Sequence, residues 1–166
     1  MNMSLRNEIL KFLQTNDNLT LATCSSAKPW SSVVIYVNDD KFNFYFTSDP
    51  TSRHAREISK NPHVSFAINH ERIEEGYIKA MQVEGFAEKL NLKEVPFVFK
   101  LYLKKFPFAK SFLPSFKRLL KKGFRWKFYK IRPARIFYMN KELYDKGVRE
   151  EFELGNSVCN GSNTEV

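Results

Sequence analysis

The segment FNFYFTSDPTSRHAREISKNP, residues 42–62, carries more structural information than any other part of this chain. Phenylalanines at alternate positions, residues 42, 44 and 46, predict a β-strand with one buried face that ends near Ser48. The Asp-Pro pair that follows breaks the strand. Thr51 or Ser52 then caps a helix that runs to about residue 60. The segment therefore predicts a strand, a turn and a helix start in direct succession.

Ser52 and Arg53 fall in the first turn of this predicted helix. Free N–H groups at the start of a helix point outward with the positive end of the helix dipole. A hydroxyl and a guanidinium beside them suit a phosphate group. The same residues are equally compatible with an ordinary capped helix whose Arg53 is solvated. From this segment alone the two interpretations have equal support.

The length and composition predict one globular domain. A chain of 166 residues with 15% aromatic residues can bury a sizeable core. The chain contains no run of about 18 apolar residues, so it predicts no membrane span. Its amino-terminal helix, residues 1–17, is charged and amphipathic, unlike a signal peptide, and this favours a cytoplasmic location. Cys24 and Cys159 are isolated and predict neither a metal site nor a disulfide framework.

The formal net charge of +9 is concentrated in one part of the chain. Residues 89–135 contain 15 lysines and arginines and a single acidic residue, Glu94, which is a local excess of +14 and leaves −5 elsewhere. Such a basic segment can serve nucleic acid, anionic lipid or an anionic cofactor. A solvated helical face explains it as well.

The remaining pattern predicts a closed or nearly closed barrel of short antiparallel strands. Strands are predicted over residues 18–25, 30–37, 42–48, 63–69 and 77–90, with a bulge at Gly85. A helical insertion is predicted at 92–122, and two further strands, 125–132 and 134–140, are divided by Pro133. One domain would cover residues 1–154, followed by a flexible tail at 155–166.

The order of these elements resembles the FMN-binding split-barrel family typified by pyridoxamine 5'-phosphate oxidase. The resemblance runs through PWSSVVIYVNDDKFNFYFTSDPTSRHAREISKNPHVSFAIN, then MQVEGFAEKL and KFYKIRPARIFYMN. It is carried by an aromatic-Thr pair at a strand end, a Ser-Arg pair that opens a helix, and an Asn-Pro pair that closes it. The chain is most similar to the small oxidase-like branch grouped with bacterial general stress proteins.

This resemblance implies a mainly β fold with peripheral helices, a six-stranded antiparallel Greek-key split β-barrel of the FMN-binding type. It also implies a homodimer with one FMN in each of two grooves at the interface. The residues implied to contact the cofactor are Ser31, Ser32, Val33 and Val34 along the flavin, Phe46 and Thr47 on the next strand, Ser52, Arg53 and His54 at the phosphate, and Gln82 on the fifth strand.

Several residues depart from the oxidase pattern. His54 replaces the usual Lys and loses its fixed positive charge, since an imidazole titrates near pKa ~6.5. Ser31 stands where oxidases tend to have Arg. In the substrate clamp Tyr102 fits the pattern, but Phe106 and Lys110 replace the Arg and the Ser. These changes weaken the expected grip on anions and argue against pyridoxine phosphate as the substrate.

The function that this resemblance implies is an FMN-dependent oxidoreductase that acts on an unknown small molecule. The redox chemistry would belong to the flavin, and no catalytic acid or base stands out in the sequence. Two alternatives remain open. One is a non-catalytic protein that binds or stores flavin or haem. The other is a nucleic-acid or anionic-lipid binder that uses the basic segment 89–135.

Overall fold

The structure is a computed structural model that describes residues 3–69, 78–108, 125–140 and 149–154. Three helices and seven strands follow one another in these ranges. Their order is α1 (Met3–Thr15), β1 (Asn18–Ser25), β2 (Lys28–Asn38), β3 (Phe44–Ser48), α2 (Arg53–Ile58), β4 (His63–Asn69), β5 (Lys79–Lys89), α3 (Val95–Lys105), β6 (Lys127–Asn140) and β7 (Arg149–Phe152). None of these helices has the length and apolar content that a bilayer crossing requires.

The strands form one antiparallel sheet that closes on itself. Their spatial order is β3-β2-β1-β4-β5-β6-β7, and an additional pairing of β3 with β6 closes the first six into a barrel. Strands β1, β2 and β3 are consecutive neighbours, and β4 returns to lie beside β1, which is the Greek-key arrangement. The predicted six-stranded antiparallel barrel with peripheral helices is confirmed.

Strand β3 is buried on both faces, so the prediction of a single buried face was wrong. Phe44 and Phe46 lie in the barrel interior, which forms the main core. Tyr45 faces the other way and joins a second core beneath α3, together with Val98 and Tyr102. The second core exists because α3, some 50 residues further along the chain, packs on the outside of β2 and β3. Alternation within the strand does not encode that contact.

The predicted strand start at residue 42 was also two residues early. Phe42 has a φ of 63°, and its N–H donates to the Asp39 carbonyl in the turn that joins β2 to β3. The Asp39 carboxylate organises this turn, because it accepts hydrogen bonds from the backbone N–H groups of Lys41 and Asn43 and from the Tyr45 hydroxyl, at 2.8 to 2.9 Å. Phe42 remains buried although it lies outside the strand.

The register of β5 against β6 shifts between Glu84 and Gly85, which confirms the predicted bulge. A Cβ on Gly85 would meet the backbone carbonyl of Arg132, so only glycine fits this close approach. Pro133 pairs with Gly85 inside one continuous strand, β6. The predicted division of this region into two strands was wrong, because the bulge accommodates a residue that lacks an N–H donor.

The predicted helical insertion at 92–122 is represented by α3, which ends at Lys105. Its remaining part from residue 109, including Lys110, lies outside the described residues, as do the predicted tail at 155–166 and Cys159. Strand β2 is longer than predicted at both ends, because its pairing with β1 extends to the turn at residues 26 and 27 and its pairing with β3 extends to Asn38.

Candidate functional site

A cluster of hydroxyl groups and one imidazole lies where β3 meets α2. Ser48 Oγ is 2.7 Å from His54 Nε2 and 3.0 Å from Ser52 Oγ, and Ser52 Oγ is 3.2 Å from the same ring nitrogen. Ser52 is the N-cap of α2, as predicted, and its Oγ accepts a hydrogen bond from the Ala55 N–H at 3.4 Å. The cluster therefore fixes the first turn of the helix against the end of the barrel strand.

Arg53 points away from this cluster and is held by three different groups. Its Nε donates to Glu57 Oε1 at 2.8 Å, and its Nη2 donates to the Lys28 carbonyl at 3.4 Å. Its guanidinium also lies 4.5 Å from the centroid of the Trp30 ring. Thr23 in turn donates to Glu57 Oε2 at 2.5 Å. Arg53 is thus pre-organised, while 40% of its side chain remains exposed to solvent.

An open, positively charged groove borders Arg53. It has a volume of about 470 Å³ and lies between the β1–β2 turn and α2. Its lining consists of four cationic residues, one acid and two hydroxyl residues: Lys28, Arg53, Arg56, Lys60, Glu57, Ser25 and Ser26. Because the cations outnumber the acid, the groove suits an anion such as a phosphate group.

The Glu57 carboxylate and the His54 imidazole both have pKa values below their ordinary ones. The hydrogen bond from Thr23, and next the one from Arg53, lower the pKa of Glu57, so this carboxylate stays ionised and keeps Arg53 oriented. Burial lowers the pKa of His54 below its ordinary value of 6.5, and the Glu57 charge opposes the shift. His54 is therefore neutral near pH 7 and adds no positive charge to the site.

Hydrogen bonds on one side and an ion pair on the other hold the turn between β3 and α2 in place. Asp49 accepts hydrogen bonds from the backbone N–H and the hydroxyl of Thr51, and it forms an ion pair with Arg125 next to β6. The Thr51 backbone hydrogen bond, and next the Arg125 side chain, lower the pKa of Asp49 to about 2. The start of α2 is consequently held in place through the whole neutral pH range.

The four predicted flavin-facing residues of β2 divide between the two faces of the sheet. Ser31 and Val33 lie on the outer face, where Val33 is 70% exposed. Ser32 and Val34 lie on the inner face, and Val34 is buried. The Ser32 Oγ is buried and has no hydrogen-bond partner in the described part of the chain. A buried hydroxyl of this kind is satisfied in most proteins by water or a ligand.

Gln82 belongs to the same outer face as Val33. The register places Val33, Thr20, Ala67, Gln82 and Phe137 in one row across five neighbouring strands. Small side chains at Thr20, Ala22, Ser65 and Ala67 make the middle of this face a shallow depression of about 380 Å³. We call this surface the outer row. A face of this kind is better suited to contact with a flat ring or a second protein surface than to contact with water.

Phe46 and Thr47 lie at the end of β3. Phe46 is fully buried in the main core between β2 and β6, where its ring stacks on Tyr129 at 5.2 Å and 15°, so it offers no exposed atoms to a ligand. Thr47 is half-buried. The structure therefore brings Ser52 and His54 together, turns Arg53 into the neighbouring groove, and leaves Gln82 with Ser31 and Val33 on the outer row.

The sequence contains a signal for two further cations of the groove, one in α2 and one just after it. Arg56 and Lys60 follow Arg53 at spacings of three and seven residues, which predicts one face of the helix that was expected to run to about residue 60, and Glu57 stands four residues after Arg53. Lys28 and Thr23 had no such signal, since only the strand pairing carries them to α2. Within the described ranges, no group of three or more His, Cys, Asp or Glu residues is arranged to hold a metal ion.

The residues present fit an anionic, flat ligand. The groove supplies the oriented Arg53 guanidinium and three further cations for a phosphate, and the outer row supplies a shallow surface of small side chains. FMN combines a phosphate with a flat ring system, so its chemistry agrees with this set of residues.

Comparison with known proteins supports the split-barrel fold described above. The sequence model of the family described as pyridoxamine 5'-phosphate oxidase matches residues 5–119. Among solved structures, a haem-binding protein from Mycobacterium smegmatis is similar at 17% identity and a TM-score of 0.70, over 93% of this chain and 60% of that chain. General Stress Protein 26 from Bacillus anthracis is similar at 24% identity and a TM-score of 0.58, over 82% and 94% of the two chains.

An FAD-binding protein from Mesorhizobium loti is similar at 18% identity and a TM-score of 0.60, over 78% of this chain and 90% of that chain. Identities this low show a shared fold and do not transfer a ligand. No curated protein matches the sequence.

Proposed function

Because this chain belongs to the pyridoxamine 5'-phosphate oxidase family, we propose that it is a flavoprotein that binds FMN and acts as an FMN-dependent oxidoreductase on a small molecule. The observation that carries the proposal is the fixed Arg53 guanidinium in a positively charged groove at the start of α2. A cation that is already oriented by Glu57 and Trp30 loses little conformational entropy when it binds a phosphate.

Each part of the site has a defined task in this proposal. Arg53 and Lys28 hold the phosphate, and Ser52 with His54 keeps the start of α2 rigid. Ser31, Val33 and Gln82 border the ring system on the outer row. When bound, the flavin supplies the transfer of electrons or hydride, which no residue of this site could supply alone.

Pyridoxine phosphate is a poor candidate for the substrate. Tyr102, which matches the family's substrate clamp, lies on the buried side of α3, and its hydroxyl donates to the backbone carbonyls of Ile35 and Tyr45. Phe106, at the second clamp position, is buried against it. Both residues therefore pack the second core, and a different small molecule is the proposed substrate.

We also propose that the outer row is the interface of a homodimer. Val33 and Ile35 are 70% and 60% exposed on a sheet face otherwise made of small side chains, which is unusual for a surface in contact with water. The measurement is the solution mass of the protein and of an Ala67→Arg variant. We expect a dimer for the wild type and a monomer for the variant, whereas a monomeric wild type would refute this interface.

Binding or storage of haem is the second candidate, favoured by the similarity to the haem-binding protein from Mycobacterium smegmatis. Haem in most proteins needs an axial ligand such as His. The Nε2 of His54 is already hydrogen-bonded to two hydroxyl groups, and His63 is an exposed residue that packs on Phe86. Among the described residues, which do not include His70, these contacts favour flavin over haem.

The test begins with the absorption spectrum of the protein as isolated and after incubation with FMN. We expect the two-banded spectrum of an oxidised flavin, bleached by a nicotinamide reductant if the protein turns over. A Soret band would support haem. A colourless protein that takes up no FMN would refute the flavoprotein proposal.

The variant that tests the phosphate site is Arg53→Ala. We expect its FMN affinity to fall by roughly 10- to 100-fold, because a charge-assisted hydrogen bond contributes about 1.5–3 kcal/mol. Arg132→Ala is the matched control, since Arg132 pairs with Glu88 on the exposed side of β6, away from the groove. Equal FMN affinity in the Arg53 variant and the control would refute the placement of the phosphate.

A further inference from the structure

The exposed side of α3 combines lysines with large apolar side chains. Lys93, Phe97, Lys100 and Lys104 follow one another at spacings of four, three and four residues, so they form one stripe along the helix and the turn before it. We call these four residues the α3 ridge. Leu92 and Phe108 lie at its two ends, and each is 66% exposed.

The apolar side chains of this surface lack the cover that a core residue has. Phe97 is 48% exposed, although its ring makes an edge contact with Tyr45 at 6.3 Å. On the opposite side of the same helix Val95, Val98 and Tyr102 are buried in the second core. The helix is therefore already anchored to the barrel, and the exposed aromatic side is not needed to attach it.

The lysines of the ridge are available for an external anion. Within the described residues, Lys93, Lys100 and Lys104 form no ion pair with an acidic side chain.

The neighbouring acids have other partners or lie at the edge of the surface. Glu94 pairs with Lys130 at 3.1 Å, and Asp39 uses both carboxylate oxygens inside its own turn. Asp40 borders the groove between α1 and α3, which Phe97 and Lys104 also line. The surface therefore retains a positive field.

We propose that the α3 ridge docks this protein on the surface of an anionic lipid bilayer. Lysines on such a surface bind the negative headgroups, and the apolar side chains between them enter the boundary with the acyl chains. The long lysine side chains keep their charges in the headgroup layer while Phe97, Leu92 and Phe108 lie deeper. A nucleic-acid backbone would satisfy the lysines but would offer no apolar partner to Leu92, so the mixed composition favours lipid.

This proposal is separate from the flavin site. None of the ridge residues lines the groove beside Arg53 or the depression of the outer row. Loss of membrane binding and loss of flavin binding can therefore be measured independently in the same variants.

The experiment is co-sedimentation of the full-length protein with vesicles of pure phosphatidylcholine and with vesicles that contain phosphatidylserine. We expect binding only to the anionic vesicles, weakened by added salt. The triple variant Lys93→Gln, Lys100→Gln, Lys104→Gln should lower the partition coefficient by on the order of 100-fold, since each lysine contributes about fivefold. Phe97→Ala should lower it by a further several-fold without any change in charge.

The matched control removes three positive charges elsewhere, through Lys11→Gln, Arg132→Gln and Arg135→Gln, all of which are exposed and line neither the groove nor the depression of the outer row. We expect this variant to keep most of the vesicle binding of the wild type. Equal loss in the two triple variants would show a mere effect of net charge and would overturn the proposal. Absence of binding to anionic vesicles, or tight binding to nucleic acid without binding to vesicles, would overturn it as well.

Discussion

The two basic regions of this molecule hold their cations in different ways. In the groove beside α2, Arg53 is fixed by Glu57, by the Lys28 carbonyl and by the Trp30 ring. On the α3 ridge, Lys100 and Lys104 have no such partners among the described residues. A fixed guanidinium recognises one small anion in one geometry, whereas mobile lysines act together on an extended anionic surface.

The difference shows that net charge alone does not assign a function to a basic segment. The excess of +14 positive charges over residues 89–135 is the strongest charge signal in the sequence, yet the proposed cofactor site lies outside that segment. The chemistry of a cation depends on what orients it, and the residues that orient Arg53 are contributed by β1, β2 and α2. Substitutions and added salt should therefore affect fixed and exposed cations to different extents.

The largest effect, a loss of stability, is expected for Lys105, one of two adjacent lysines at the end of α3. Lys105 Nζ donates to the backbone carbonyls of Leu13 and Asn16 at 3.0 and 2.6 Å and lies 3.8 Å from the centroid of the Tyr36 ring. Lys105→Ala should lower the free energy of unfolding by about 2–3 kcal/mol, because it removes charge-assisted hydrogen bonds that join α3 to α1.

Lys104→Ala is the control for this prediction, since Lys104 is exposed and should change the free energy of unfolding by less than about 0.5 kcal/mol. Urea denaturation of both variants provides the measurement. Similar stability losses in the two variants would mean that fixed and exposed lysines do not differ in this molecule.

The second-largest effect is expected from added salt, which should weaken ligand binding at the two basic regions to different extents. Between 0.1 and 0.5 M NaCl we expect vesicle binding to fall by more than about tenfold, because several exposed lysines act through a screened field. FMN affinity should fall by less than about fivefold over the same range, because the proposed contact between the phosphate and Arg53 is direct and oriented. Parallel titrations measure both, and an equally steep loss for the two ligands would remove the distinction.

The smallest effect concerns the uncharged member of the site, His54. Its folded-state pKa is lowered by burial, so the unfolded chain binds the proton more readily near pH 6.5. This contribution to stability is present above pH 6.5 and is lost as the pH falls toward the lower, folded-state pKa.

His54→Gln should therefore lose less stability than the wild type between pH 7.5 and pH 5, by under about 1 kcal/mol. Chemical denaturation at several pH values measures this difference. Identical pH dependence in the two proteins would show that His54 titrates with an ordinary pKa.

The barrel could be predicted well from the sequence because the residue pattern within each strand specifies that strand. Alternating residues in β1, β3 and β4 place one set of side chains in the main core, and the β-bulge at Gly85 follows from a glycine in a strand. Features that depend on distant contacts were missed. The second buried face of β3 requires α3, and the continuity of β6 through Pro133 requires the bulge on its partner strand.

The candidate site was predictable only in part, for the same reason. The strand, the turn and the Ser52 cap are contained in one segment, so the position of Arg53 at the start of a helix could be derived from sequence. The partners that orient Arg53 through Thr23 and Lys28 come from strands whose pairing is set by the whole barrel. The separation of Arg53 from the hydroxyl cluster of Ser48 and Ser52 also depends on side-chain directions that no spacing rule specifies.

The most direct measurement of the central claim compares the affinities of FMN and of riboflavin, which lacks the phosphate, for the wild type and for Arg53→Ala. If the groove beside α2 holds the phosphate, FMN binds the wild type at least tenfold more tightly than riboflavin, and this ratio falls toward one in the variant. Equal binding of FMN and riboflavin by the wild type, or an unchanged ratio in Arg53→Ala, would contradict the account.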